Sequence, residues 1–141
     1  MASILLTLTV VLSLAEPPPA AAPTDLPEEL SALNDLWGEG DEARTIEGVR
    51  QFHLVQQGLA DWDEELAAQH KMAGDDELAR QKLEQAQHRM DLVRRAYEEV
   101  LKRYPNNARA RIYLGEILYD REGREAEALR LWTEATRLDP K

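Results

Sequence analysis

The chain has 141 residues, with 17 Lys and Arg against 27 Asp and Glu, a formal net charge of −10 and no cysteine. This composition excludes disulfides, thiolate nucleophiles and Cys-ligated zinc or iron–sulfur centres, and the length suits one small domain. Residues 16–80 hold 16 acids and 4 bases, residues 81–141 hold 11 and 13, and no Lys/Arg cluster is interleaved with aromatics, so nucleic-acid binding is not expected.

Residues 1–15 carry no charged side chain, and Ile4–Leu14 is apolar apart from Thr7, Thr9 and Ser13. A helical span needs about 20 apolar residues, so this segment is too short to cross a bilayer. It fits the apolar region of a signal peptide, with Ser13 and Ala15 as the small residues before a cleavage at Glu16. Export to the periplasm or secretion is the expectation, with no stable membrane span in the mature form. The rival readings are a cytoplasmic protein and a weak membrane anchor. Residues 16–27 include five prolines and read as a Pro/Ala-rich linker, leaving residues 28–141 as the folded domain.

After Pro27 no stretch alternates in the manner of a strand, and Ala, Leu, Glu, Gln and Arg dominate, which favours helix. Glu28–Trp37 is a short predicted helix that Gly38 ends. Asp41 is the expected N-cap of the next one. From Glu42 to Ala73 the large apolar residues Phe52, Val55, Leu59, Trp62 and Leu66 step by 3, 4, 3, 4, which predicts a helix facing another helix. Gly48 and Gly58 weaken it by about 1 kcal/mol each, so a break near Gly58 is one outcome. Gly74-Asp75-Asp76 supplies a left-handed stop and a new cap.

The helix after that turn is the most regular. Ala79, Leu83, Ala86, Met90, Val93, Tyr97, Val100 and Tyr104 step alternately by 4 and 3. Two such helices joined by a tight turn predict an antiparallel hairpin; an intermolecular coiled coil would show the same pattern. Pro105 ends the run, and Asn106-Asn107 cap the next helix.

Residues 108–140 place Ala108, Leu114-Gly115 and Leu118 on one helix, a break at Gly123, then Ala128, Trp132 and Ala135 on a second helix closed by Pro140. This resembles a tetratricopeptide repeat: a helix pair with small residues at the contact, an aromatic in the second helix and a terminal proline. Tyr97, Val100-Leu101 and Pro105 stand at the spacings of a preceding second helix, so the resemblance spans about one and a half repeats. It departs from the family at Arg111, where a large residue is usual, at Arg80-Gln81, where Leu-Gly is usual, and in a turn one residue longer.

The resemblance implies an all-α fold of antiparallel helical hairpins, a short α-solenoid with a C-terminal tetratricopeptide-like pair, working as a protein-interaction scaffold. In the family the groove is lined by first-helix side chains, which here fall on Arg109, Ile112, Glu116 and Tyr119. A protein or peptide partner is implied, basic or neutral given the acidic first half. The alternative is a structural subunit that self-associates through the Tyr97/Val100 stripe and the exposed end of the last repeat, which leaves homo-oligomerisation open.

Catalytic chemistry is not indicated. His53, His70 and His88 are 17 and 18 residues apart, with no His-Glu-x-x-His arrangement. Asp61, Asp63, Glu64 and Glu65 lack the glycine turn and ligand order of a calcium loop and read as a solvated face. No Ser-His-Asp grouping and no phosphate-cradling glycine motif occurs. The expectation is a non-enzyme with no metal and no cofactor.

Overall fold

The computed structural model describes residues 28–37 and 41–140. The expected signal peptide, the linker and the Gly38–Gly40 turn lie outside the described residues. Among those described every regular element is helical: a 3-10 segment Glu28–Leu33 running into α1 (Asn34–Trp37), then α2 (Glu42–Met72), α3 (Asp76–Arg103), α4 (Ala108–Glu122) and α5 (Glu125–Leu138).

The caps explain where the helices begin and end. The Asp41 carboxylate accepts from the Arg44 N–H at 3.1 Å, Asp75 accepts from Leu78 at 3.1 Å and Asn107 accepts from Ala110 at 2.7 Å. Each satisfies a donor that has no partner within its helix. Gly74 and Gly123 take φ of +82° and +63° at the two hairpin turns, where a Cβ would be strained. α2 runs unbroken through Gly48 and Gly58.

α2 packs along α3 and α4 along α5, and α3 joins the two hairpins by packing on α4. The all-α, paired-hairpin architecture expected from the sequence is therefore present. The core centres on Val93, Ala96, Tyr97 and Val100 of α3, with Ile46 and Val49 of α2, Ala110, Leu114 and Leu118 of α4, and Ala128 and Leu131 of α5. Fully burying a Val, Leu or Ile side chain contributes about 1.5–3 kcal/mol. Tyr97 and Val100 are completely buried, which corrects their assignment as a self-association stripe: they are interior groups of the monomer.

The N-terminal segment closes the open side of the first hairpin. Leu30, Leu33 and Trp37 are buried. Arg103 donates to the Trp37 carbonyl and lies 5.4 Å from the centre of its ring, a cation–π contact. Glu99, itself buried, holds Arg103 at 3.2 Å.

The C-terminal pair meets at small residues. A Cβ built on Gly115 would lie 2.4 Å from Trp132 Nε1, so only glycine lets the indole sit there. Trp132 is half-buried, donates to the Ile112 carbonyl at 3.2 Å and packs against Tyr119. Arg111, at the position where a large residue is usual in the repeat family, is mostly buried and pairs with Glu134 of α5 at 3.1 Å. Its stem supplies the packing and its guanidinium joins the helices.

Two sequence expectations fail on the first hairpin. α2 turns Ile46, Val49, Ala60, Asp63 and Ala67 inward, while Val55, Leu59 and Trp62 are exposed. One residue is about 100° of helical rotation, so the true contact face sits one position from the stripe of large residues. On α3, Leu83 is also exposed. α4 ends level with Arg94, where Glu122 pairs at 3.1 Å, and Leu83 lies about 16 Å further along the helix, beyond cover.

Candidate functional site

The tightest polar contact between α2 and α3 involves Asp63, which was expected on a solvated face and is instead buried. Its carboxylate receives Arg89 at 2.9 Å and Lys82 at 3.3 Å. Burial alone would raise its pKa, but the two cationic hydrogen-bond donors outweigh that and hold it below the ordinary carboxylate value. The neighbouring acids go elsewhere: Asp61 and Glu64 both take Arg121 of α4, Asp61 at 3.0 Å. The acidic run thus divides between two helix interfaces.

Between α2 and α4 runs a groove of about 690 Å³, whose walls include His53, Leu54, Gln57, Glu116, Ile117 and Asp120. Ion pairs bridge α2 to α4 at both of its ends. At one, Glu47 holds Arg50 at 2.8 Å and lies 3.7 Å from Arg109; at the other, Arg121 sits between Asp61 and Glu64. In the middle Glu116 and Asp120 stand one turn apart on α4, and neither has a hydrogen bond or ion pair among the described residues. Burial, and then the Asp120 charge, raise the Glu116 pKa above its ordinary value.

His53 of the same lining rests on an aromatic cluster. His53 Nδ1 lies 3.1 Å from the Tyr97 hydroxyl, and the imidazole meets Tyr97 and Tyr113 edge-on. Burial and then the Arg121 charge lower the His53 pKa, so the ring is neutral near pH 7. Burial, with Tyr113 and Glu116 nearby, raises that of Tyr97, which keeps its proton. The groove therefore sets a neutral imidazole, backed by buried Tyr97, in the same lining as two carboxylates.

The four residues singled out on α4 do not share one surface. Arg109 and Glu116 face α2 across the groove. Ile112 and Tyr119 are exposed, and they border Trp132 on the α5 side. Sequence reasoning missed Asp120 of α4, and it missed His53, Leu54 and Gln57 because the opposite wall comes from α2, which the repeat pattern did not cover. Asp120 could have been found as the next turn after Glu116.

His70 and His88 are not brought together: His70 lies in the last turn of α2, and His88 lies about three turns into α3 and approaches Glu29 at 3.3 Å. Among the described residues no group of three or more His, Asp or Glu is placed to hold a metal ion, and no helix is long and apolar enough to cross a membrane. Comparison with known protein families, with characterised proteins and with solved structures gives no match.

Proposed function

We propose that the chain is a non-catalytic protein-interaction module of the tetratricopeptide type, exported from the cytoplasm, that takes an extended basic peptide along the groove between α2 and α4. The observation that carries this reading is the pair Glu116 and Asp120. They lie mid-groove with no ion pair among the described residues, while the carboxylates at both ends are held by arginines. Like charges one turn apart on a helix are mutually unfavourable, and a Lys or Arg side chain laid between them removes that cost and adds charge-assisted hydrogen bonds. Leu54 and Ile117 offer apolar contact beside the charges, a mixture suited to peptide rather than to phosphate.

The family reading is supported by the glycine–indole contact at Gly115 and Trp132, by the Pro105–Ala108 junction between α3 and α4, and by Arg111 filling the expected packing position. Export is supported by the uncharged first 15 residues; N-terminal sequencing of the mature protein should begin at Glu16. Binding is tested with an array of labelled peptides that differ only in charge. Lys/Arg-containing peptides should bind, more weakly as salt rises, and Glu116→Lys with Asp120→Lys should abolish binding without lowering the melting temperature. Equal binding of acidic and basic peptides would refute the assignment.

A further inference from the structure

The far flank of α2, turned away from the groove, carries an unexplained surface. Val55, Leu59 and Trp62 are 59%, 41% and 56% exposed, and Phe52 and half-buried Leu66 continue the same stripe on either side. The steps of 3, 4, 3, 4 are those of a seam between two packed helices. Yet α3 packs on the neighbouring face, through Ala60, Asp63 and Ala67. The distal half of the hairpin thus holds its small residues inside and its large ones outside.

Gly58 lies beside this stripe in mid-helix, and a Cβ there would meet no heavy atom within 4 Å. Among the described residues no close approach requires the glycine, although it costs about 1 kcal/mol relative to alanine. By helical rotation Gly48, Gln51, Gly58 and Gln69 border the stripe, all uncharged; the carboxylates on that edge are Glu65 and, about five turns earlier, Glu47, which is held by Arg50 at 2.8 Å. In a chain of net charge −10, this is a face that a second copy can approach without meeting a row of like charges.

We propose that this stripe is the contact of a homodimer in which two α2 helices pack antiparallel about a two-fold axis between Gly58 and Leu59. That register sets Leu59 of one copy over Gly58 of the other and Trp62 over Val55, large on small at each level. Glu65 then meets the apolar Phe52 position rather than another carboxylate, whereas a parallel register would stack Glu65 on Glu65 and Trp62 on Trp62. Each copy buries on the order of 400 Å², below the usual size of a stable interface, so the dimer is weak and concentration-dependent. The two grooves stay open, because they lie on the opposite flank of α2, and a dimer offers a partner two sites at once.

The absence of native cysteine makes the test direct. In the full chain, Leu59→Cys should cross-link to itself under mild oxidation, while Gln69→Cys, about 30 Å from its mate in this register, should not. Sedimentation velocity from about ten micromolar to about a millimolar should show a rising coefficient, abolished by Trp62→Glu and by Val55→Glu with the helical circular dichroism retained. A coefficient independent of concentration overturns the proposal and assigns the stripe to a different protein or to another segment of the same chain. Cross-linking of both cysteine variants, the mark of a parallel pair, also overturns it, as does association that survives both glutamate substitutions.

Discussion

Replacing Asp63 with alanine tests whether the distal half of the first hairpin is held by charge rather than by apolar volume. The side chain is 5% exposed, and its partners Lys82 and Arg89 are 29% and 31% exposed. Stripping one member from a fully buried ion pair costs about 3–5 kcal/mol. Here both cations reach water, and each has a second acceptor, Gln85 for Lys82 at 2.9 Å and Gln56 for Arg89 at 3.3 Å. The cost should therefore fall to about 2 kcal/mol, or about 10 °C in melting temperature for a domain of this size. The pH dependence has a defined sign. The folded pKa of Asp63 is lowered, so its contribution is fully present above the unfolded value of about 3.9 and is lost as pH falls through the folded value. Urea denaturation of wild type and Asp63→Asn should differ by a constant amount between about pH 5 and pH 7 and converge below about pH 4. A midpoint unchanged in Asp63→Ala at pH 7, or a difference that widens on acidification, would refute the reasoning.

Gly115→Ala should destabilise by about 1 kcal/mol, because a gain of about 1 kcal/mol in helix propensity is set against a clash with the indole worth about 1–3; thermal denaturation and tryptophan fluorescence report it, and a raised melting temperature would exclude the close contact. Glu116→Gln should do the reverse at pH 7, stabilising by a few tenths of a kcal/mol while weakening basic-peptide binding. The raised pKa of Glu116 favours its protonated form in the folded state, so the wild-type penalty develops as pH rises through the carboxylate range, and the gain should vanish below about pH 4.

The hairpins and caps were legible in the sequence because they depend on local chemistry. Asp41, Asp75 and Asn107 cap where a short polar side chain precedes a helical run, and Gly74 and Gly123 stop helices where positive φ is needed. The contact face of α2 was not legible. Periodicity weights side chains by size, and the largest apolar groups of α2 form a regular series one residue away from the true contact. The contact itself is built from alanines and from an aspartate whose two partners lie 19 and 26 residues ahead. A buried ion pair has no hydrophobic signature, so an apolar count reads its position as surface. For the same reason Asp63 was grouped with Asp61 and Glu64, from which helical rotation separates it.

The candidate groove was half legible, and the reason is geometric. A 3-4-3 series such as Arg109, Ile112, Glu116 and Tyr119 covers a band of helix surface, and a helix in a solenoid has different neighbours on the two edges of that band. Here α2 lies along the edge that carries Arg109 and Glu116, and Trp132 of α5 lies along the edge that carries Ile112 and Tyr119. Charge follows the same division: the edge facing α2 holds the ionic groups, and the edge facing α5 holds the isoleucine and the tyrosine. A peptide lying in the groove would therefore meet Glu116 and Asp120 first, with Tyr119 and Ile112 reached only by side chains that cross α4. Substitution on the α2 edge should change charge selectivity and salt dependence, while substitution at Tyr119 should change affinity with little effect on either.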